Sequence, residues 1–331
     1  MTSNSKTGSG PEADAGPSVS RRAVMGMAGG VIASAGMASA AGAAAQAPAS
    51  PPARFAGKVA VITGAARGMG RAHAVLLAQN GATILGCDIL EPIATLDYPL
   101  ATQADMDETA RLVREAGGRF VGVKADVRDA AAATGVIERA LKDFGRVDFL
   151  LANAGIYASA PLAQMTDQQF DDIIRTNLYG VFNIMRAAVA PMTRQGYGRI
   201  VATSSAAGRM GIAGSAHYCA SKWGVIGLAK ALALEVAKQG VTVNCVCPTG
   251  VNTPLVNNPA AWRRALPNDP APTREKFEAR MRENPHTPQG VPWVEPEDVA
   301  AAALFLLSDD AAHITGTALD VAAGGAATTM A

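Results

Sequence analysis

Short apolar runs separated by longer mixed segments recur along the chain from about residue 58. Runs of this length without polar alternation are typical of parallel strands covered on both faces. Seven such runs predict strands, at Lys58–Ile62, Thr83–Cys87, Arg119–Val123, Val147–Leu151, Gly198–Thr203, Val241–Val246 and Thr317–Val321. The intervening segments predict helices, among them Arg71–Gln79, Ala130–Phe144, a long helix from about Thr166, and one that contains Tyr218 and reaches about Gln239. Alternating strands and helices predict an α/β fold with one doubly wound, seven-stranded parallel sheet and helices on both faces.

The first 54 residues lack this pattern. Residues 1–20 are polar and rich in Ser, Gly, Pro and Ala, a composition that buries too little apolar surface to become ordered. Arg21 and Arg22 then precede a weakly apolar Ala/Gly run, an arrangement similar to a twin-arginine export signal. A membrane anchor is less favoured, because Ala and Gly contribute little transfer free energy. We expect a disordered tail over 1–54, one domain over 55–331, and export by the twin-arginine route or a cytoplasmic location.

Composition and charge argue against several classes of function. The 29 Lys and Arg residues nearly balance 28 Asp and Glu, so the chain lacks the basic stripe of a nucleic-acid-binding protein. Four cysteines in 331 residues are too few for a disulfide framework. The four histidines are scattered, and we expect no metal site.

A glycine-rich turn follows the first predicted strand. It places Gly64, Gly68 and Gly70 between that strand and a helix. Such glycines let the backbone approach a pyrophosphate, whose charge the helix N-terminus also favours. The turn therefore predicts a dinucleotide site of the Rossmann type, although its spacing is Gly-x-x-x-Gly-x-Gly instead of the common Gly-x-Gly-x-x-Gly.

Asp88 ends the second predicted strand. An acid at this position accepts hydrogen bonds from both ribose hydroxyls and repels a 2′-phosphate, which favours NAD over NADP. Arg67 points the other way, because a basic residue in the turn can pair with that phosphate. We weigh Asp88 more heavily, since holding a carboxylate against a phosphate dianion is costly at short range. Asp126, after the third strand, is expected to reach the adenine.

Candidate catalytic groups lie later in the chain. Tyr218 and Lys222 are spaced to share one face of a helix. A lysine cation near a tyrosine lowers a phenol pKa that starts at about 10, which makes the phenol a usable acid or base. Ser205 follows a predicted strand and can donate to a substrate oxygen. We expect Asn177 to hold a water that links Lys222 to solvent, and Thr253 to hold a carboxamide.

These residues together resemble the short-chain dehydrogenase/reductase family, from about residue 56 to 325. The resemblance implies a tetrad of Asn177, Ser205, Tyr218 and Lys222, hydride transfer at nicotinamide C4, and a homotetramer built through two long helices. It also implies cofactor contacts at Gly64, Arg67, Gly68, Met69, Gly70, Asp88, Asp126, Val127, Asn153, Ala154, Gly155, Tyr218, Lys222, Pro248, Gly250, Val251 and Thr253. Two departures are Ala152, in place of a more common Asn, and Val321–Gly325, which lacks an acid often found there.

An insertion at Asp88–Thr102 is longer than a usual strand-to-helix connection. Its Tyr98–Leu100 and the later Pro248–Pro254 resemble the carveol-dehydrogenase-like, mycofactocin-coupled subgroup. That resemblance implies a nicotinamide that is not exchanged between turnovers and a redox partner, mycofactocin, that takes its electrons. A surface insertion without consequence is the alternative. Residues 255–293 are expected to cover the substrate. Trp262 and Trp293 are candidate walls, although core packing is the more expected role for at least one of them.

Three functions follow from this reading. The first is an NAD-dependent oxidoreductase that transfers hydride between a hydrophobic secondary alcohol, or its ketone, and tightly held nicotinamide, with Tyr218 as general acid/base. The second is a carbonyl reductase with exchangeable NAD(P)H. The third is a nucleotide-binding sensor, which needs the glycines and Asp88 but has no use for Tyr218 beside Ser205. We favour the first.

Overall fold

The computed structural model describes residues 53–283 and 289–328. The predicted tail and export signal lie outside the described residues, apart from the last two positions of the tail. Disorder of that tail and the export route therefore stay predictions.

A single sheet organises the described residues, and it confirms the predicted fold class. Its seven strands are all parallel, in the order β3-β2-β1-β4-β5-β6-β7. Each begins and ends within two residues of its predicted bounds: β1 Val59–Thr63, β2 Thr83–Asp88, β3 Phe120–Lys124, β4 Phe149–Ala152, β5 Gly198–Thr203, β6 Val241–Pro248 and β7 Ala318–Val321.

Nine α-helices lie in the described ranges: α1 Gly68–Gln79, α2 Gln103–Glu115, α3 Ala130–Phe144, α4 Asp167–Ile174, α5 Gly180–Gln195, α6 Ala216–Glu235, α7 Pro259–Ala265, α8 Arg274–Arg282 and α9 Pro296–Leu307. A π-helical turn, Arg175–Tyr179, joins α4 to α5, so the long helix predicted from Thr166 is continuous to Gln195. Short 3-10 turns are found at Leu162–Gln164, Ala206–Gly208, Asp309–Ala311 and Gly325–Thr328.

Both faces of the sheet are covered by helices. On one face, buried side chains of α3, α5 and α6 pack on the strands, as Ile137, Ile184 and Val225 do. On the other face α1 and α9 form the cover, through residues such as Leu77 and Leu306. The strands are buried on both sides, which explains why they appear in the sequence as unbroken apolar runs.

The predicted end of α6 at Gln239 is wrong, because the helix ends at Glu235. The chain must turn sharply there to enter β6 at Val241. Gly240 makes that turn with φ +72°, and a Cβ on it would lie 2.2 Å from the Gly196 carbonyl oxygen. Of the helices in the described residues, none is both long and apolar enough to cross a bilayer.

Candidate active site

The site lies at the carboxyl ends of the strands, where the strand order reverses between β1 and β4. Thr63 and Asn153 join the two halves at this point. The Asn153 amide donates to the Thr63 carbonyl oxygen at 3.0 Å, and the Thr63 hydroxyl accepts from the backbone N–H groups of Asn153 and Ala154 at 3.0 Å each. One cavity opens on the β1–β2 side of this junction and a second on the side of β5–β7.

The glycine-rich turn has the conformation that the sequence predicts. Gly64 and Gly68 have φ of +67° and +56°, values that L-residues rarely adopt. A Cβ on Gly70 would lie 2.0 Å from the Gly64 carbonyl oxygen, so the close approach of α1 to the turn requires a glycine. No acidic residue occupies the first turn of α1, which leaves that helix N-terminus available for an anion.

Asp88 and Arg67 face the first cavity together. The Asp88 carboxylate accepts from the backbone N–H of Ala66 at 3.1 Å and of Ile89 at 2.9 Å. Burial raises the pKa of Asp88, which these hydrogen bonds and Arg67 oppose. Arg67 donates from Nη2 to the Pro99 carbonyl oxygen at 2.6 Å, so the insertion already engages the guanidinium that a 2′-phosphate would need.

Asp126 lines the same cavity and is paired with Arg128. Arg128 Nε donates to its two carboxylate oxygens at 2.8 and 3.0 Å and also contacts Asp172 through Nη1 at 3.4 Å. Val127 is buried beside it. Thr176 also lines the cavity, and its buried hydroxyl has no hydrogen-bond partner among the described residues. The sequence did not single out Arg128 or Thr176, because the contact of Arg128 with Asp172 and the burial of Thr176 depend on the complete fold.

Helix α6 and the end of β5 bring the predicted catalytic groups together. Tyr218 and Lys222 lie one turn apart, with the Lys222 nitrogen 5.6 Å from the Tyr218 ring centroid. Lys222 is buried and donates to the Thr203 carbonyl oxygen at 2.8 Å. Ser205 caps the 3-10 turn after β5, where its hydroxyl accepts from the Ala207 N–H at 3.1 Å, and it lines the same two cavities as Tyr218. A hydroxyl and a phenol are therefore placed to share one substrate oxygen.

The electrostatics at Tyr218 differ from the sequence expectation. Burial raises the pKa of Tyr218, and the hydrogen bond with Ser205 acts in the opposite direction. Burial also lowers the pKa of Lys222 to about 8. The expected lowering of the Tyr218 pKa by Lys222 is absent, because desolvation of the phenol dominates and the ammonium group is directed to the Thr203 carbonyl oxygen.

Asn177 lies in the π-helical turn between α4 and α5. Its side-chain oxygen accepts from the Ile156 N–H at 2.8 Å, and its amide nitrogen donates to the Ile156 carbonyl oxygen at 2.9 Å. These bonds hold the backbone next to Gly155, where a Cβ would lie 3.3 Å from the Asn177 oxygen and 3.5 Å from the Lys222 nitrogen. The side chain thus fixes the loop after β4, and the predicted water between Asn177 and Lys222 stays a prediction.

The insertion, which we call the β2–α2 loop (residues 89–102), is anchored on several sides. The Thr95 hydroxyl donates to Asp172 at 2.7 Å, and Asp97 pairs with Arg264 of α7 at 2.6 Å. Tyr98 is buried, and its hydroxyl accepts from the Tyr157 N–H at 3.1 Å. Several loop residues line the first cavity: Ile89, Ile93, Tyr98, Leu100 and Ala101. These contacts argue against a surface insertion without consequence.

The second cavity has a volume of about 620 Å³. Ser205 and Tyr218 form part of its wall, and much of the rest is apolar: Met210, Ile212, Leu255, Val256, Phe277 and Met281. Residues of α7 and α8 cover it, as expected for 255–293. Neither candidate tryptophan is a wall of this cavity, and Trp293 instead has the buried core position that was the alternative. Trp262 donates to Asn257 at 2.9 Å and Trp293 packs near Phe277, and neither lines the cavity in the described residues.

Tyr157 is a cavity residue that no pattern in the sequence singles out. Its ring meets that of Tyr218 edge to face, with centroids 5.0 Å apart, and its hydroxyl lies 3.0 Å from the Ser215 hydroxyl. It follows Asn153–Gly155 by two positions, but that spacing carries no chemical signal of its own. Tyr157 therefore supports the catalytic tyrosine from the substrate side.

The predicted site residues converge on these cavities and on a small third one between them. Pro248, Val251 and Thr253 line the small cavity with Tyr218 and Lys222. Of the predicted residues, only Gly70 and Asn177 line none of the three, and both support residues that do. The described residues contain no group of His, Cys, Asp and Glu side chains suited to a metal ion.

Comparison with known proteins agrees with this geometry. The sequence pattern of the short chain dehydrogenases matches residues 58–264. The (-)-trans-carveol dehydrogenase of Rhodococcus erythropolis is 44% identical over 275 residues, which cover 82% of this chain and 98% of that protein. The 3-oxoacyl-acyl-carrier-protein reductase FabG of Escherichia coli is 37% identical over 270 residues, covering 82% and 98%.

A solved structure shows the same likeness. Carveol dehydrogenase from Mycobacterium avium in complex with NAD has a TM-score of 0.81 and 40% identity, and the match covers 83% of this chain and 100% of that one. The chain belongs to the short-chain dehydrogenase family.

Proposed function

We propose that the protein is an NAD-dependent dehydrogenase that interconverts hydrophobic secondary alcohols and their ketones. The observation that carries this function is the position of Ser205 and Tyr218, which both line a largely apolar cavity and the small cavity that joins it to the nucleotide side of the sheet. Two carveol dehydrogenases are among the relatives, at 44% and 40% identity, which supports an alcohol of this general kind.

The first cavity fits NAD. The N-terminus of α1 has no acidic residue in its first turn and can bind a pyrophosphate. Asp88 lines the cavity, where it can accept hydrogen bonds from ribose hydroxyls. Arg67 donates to the Pro99 carbonyl oxygen. The buried Thr176 hydroxyl, unpaired within the described residues, indicates a polar ligand there. We assign Gly64, Gly68 and Met69 to the pyrophosphate side, Val127 to the adenine and Thr253 to the nicotinamide carboxamide. Bound NAD supplies the hydride acceptor at its nicotinamide C4.

The protein's own residues handle the proton. The Ser205 hydroxyl orients the substrate oxygen, and the Tyr218 phenolate takes the alcohol proton during oxidation. Lys222 stabilises the phenolate by its charge, although at a distance that leaves desolvation dominant in the free protein. The phenol must lose its proton before it can act as a base, and burial raises its pKa. Alcohol oxidation is therefore favoured at alkaline pH, and ketone reduction at lower pH.

We further propose that the nucleotide stays bound between turnovers and passes its electrons to a redox partner such as mycofactocin. The anchors of the β2–α2 loop support this, because a loop fixed to α4, α7 and the Tyr157 backbone slows release. We also propose a homotetramer, on the family resemblance and on exposed aromatic side chains of α5 and α6. Export by the twin-arginine route stays a prediction.

Tyr218→Phe tests the function. The variant should lose at least about a hundredfold in turnover, the usual range for removal of an acid/base group. Turnover is measured on a panel of secondary alcohols with an artificial electron acceptor, and bound nicotinamide by mass spectrometry after denaturation. Tyr197→Phe, a tyrosine bonded to Asp309 away from both cavities, is the matched control.

The expected result is nicotinamide in both variants and turnover only in the control. Full turnover in Tyr218→Phe would refute the acid/base role. Steady turnover on added NADH with rapid nucleotide exchange during dialysis would favour a carbonyl reductase with exchangeable NAD(P)H. Bound nucleotide without turnover of any alcohol or ketone in the wild type would favour a sensor.

A further inference from the structure

An ion pair lies in the wall of the otherwise largely apolar second cavity. Arg209, after the 3-10 turn that follows Ser205, has its Nε 3.1 Å from a carboxylate oxygen of Asp320 in β7. Both residues line the cavity, and their side chains are 20% and 25% exposed. The pair therefore faces the same space as Ser205 and Tyr218.

Asp320 lies next to the C-terminal segment in which the sequence departs from the family pattern. The acid often found in the segment Val321–Gly325 is absent, and β7 instead carries Asp320, one residue before that segment. Arg209 also donates through Nη2 to the Ala318 carbonyl oxygen, which ties it to the same strand. The departure noted in the sequence thus coincides with a carboxylate in the substrate cavity.

Two other polar side chains of the cavity wall are engaged elsewhere. Arg264 pairs with Asp97 at 2.6 Å, and the Ser159 hydroxyl donates to the Gly214 carbonyl oxygen at 3.2 Å. The Asp320 carboxylate has one oxygen on Arg209, and among the described residues no hydrogen bond engages the other. Burial raises the pKa of Asp320, in agreement with a carboxylate that has few donors around it.

We propose that Asp320 is a second polar contact for the substrate, and that the preferred substrate is a diol whose second hydroxyl donates to this carboxylate. This rests on the proposed function, since one hydroxyl is oxidised at Tyr218 while the other is held at Asp320. Substrate binding removes water from the carboxylate, so the site favours a ligand whose hydroxyl replaces the hydrogen bond that the water made. An alcohol without a second hydroxyl removes water from Asp320 and donates no hydrogen bond in its place.

A matched pair of alcohols tests the contact. One is a cyclohexanol with a tert-butyl group opposite the alcohol, and the other has a hydroxyl in place of one of the three methyl groups. The wild type, loaded with NAD and assayed with an artificial electron acceptor, should prefer the diol about tenfold or more in kcat/KM, the range for a hydrogen bond to a charged group. Asp320→Asn should bring this ratio close to one. Ser159→Ala, in the same wall, should keep it.

Equal kcat/KM for the two alcohols in the wild type would overturn the proposal, as would an unchanged ratio in Asp320→Asn. The wild-type comparison decides the question even where the variant folds poorly. Turnover of the cyclohexanol that carries the tert-butyl group shows separately that the proposed function holds. Where neither alcohol turns over, that function fails, and the dissociation constants of the two alcohols for the NAD-loaded protein still measure the contact at Asp320.

Discussion

At the scale of single residues, burial disfavours the charged form of some side chains, including one whose charge the proposed reaction uses. Lys222 is only 3% exposed, and its ammonium group depends on one carbonyl oxygen, that of Thr203. Burial disfavours its charged form and lowers its pKa to about 8. The fold therefore tolerates a costly buried cation where the reaction needs one, a feature common at functional sites.

His73 in α1 shows the same cost without a catalytic role. It is buried, its Nε2 has no hydrogen-bond partner among the described residues, and burial lowers its pKa from 6.5 to about 4. Between those pH values the unfolded chain binds a proton that the folded protein does not. The free energy of unfolding should therefore fall as the pH drops from 6.5 towards 4, by up to about 3 kcal/mol from this group.

His73→Leu should remove this part of the pH dependence, as measured by urea unfolding across that range. His313→Leu changes an exposed histidine and should keep the wild-type slope. If the free energy of unfolding of His73→Leu falls as steeply on acidification as that of the wild type, then other groups cause the loss of stability at low pH.

At the scale of elements, the β2–α2 loop connects parts of the site that the sequence leaves separate. Its length and composition indicated an insertion, but its anchors could not be predicted. Thr95 and Asp172 are 77 positions apart, and Asp97 and Arg264 are 167 apart. Pairs at such separations depend on the order of strands and on the path of α7, which no local pattern encodes.

Retention of the nucleotide should depend on these anchors. Combining Thr95→Val with Asp97→Asn leaves buried Asp172 without one of its donors and frees α7 from the loop. We expect NAD to leave at least about tenfold faster, with the buried hydrogen bond contributing most of the effect because exposed ion pairs contribute little. Release is followed after mixing the loaded protein with excess labelled NAD. Glu91→Gln, whose ion pair with Lys124 lies on the same loop, is the control.

Unchanged release in the double variant would assign retention to other contacts of the cavity. Faster release in the control as well would indicate that any loosening of the loop is sufficient. The loop is supported as the element that retains the nucleotide only if release is faster in the double variant and unchanged in the Glu91→Gln control.

At the scale of the whole molecule, the sequence was sufficient for the sheet and for the gathering of Ser205, Tyr218 and Lys222 around one cavity. Each strand is a short apolar run, and the alternation with helices leaves few topologies. The catalytic groups follow strand ends or share a helix face, so local spacing places them. Tyr157 and the Arg209–Asp320 pair could not be found this way, because each matters through a neighbour brought close only by the complete fold. The burial of the Thr176 hydroxyl likewise depends on the complete fold. The raised pKa of Tyr218 escaped prediction for a similar reason, since desolvation depends on what surrounds the phenol.

The assembly is a property of the whole surface. Large aromatic side chains are exposed on α5 and α6 and the turn that leads into α5: Tyr179 is 56% exposed, Phe182 37% and Trp223 50%. Exposed apolar surface is typical of interfaces. These side chains therefore support the proposed tetramer, which uses the two long helices. Combining Phe182→Lys with Trp223→Lys places charges in that interface and should reduce the assembly to dimers or monomers. Sedimentation equilibrium measures the mass.

Leu162→Lys is the control for this experiment. Leu162 is 70% exposed in a 3-10 turn outside the two helices, so the same charge there should leave the assembly intact. A wild type that sediments as a monomer would refute the tetramer directly, and a double variant with the wild-type mass would move the interface away from α5 and α6. Since α6 also carries Tyr218 and Lys222, a loss of mass accompanied by lower turnover would show that packing between copies helps to hold the catalytic helix in place.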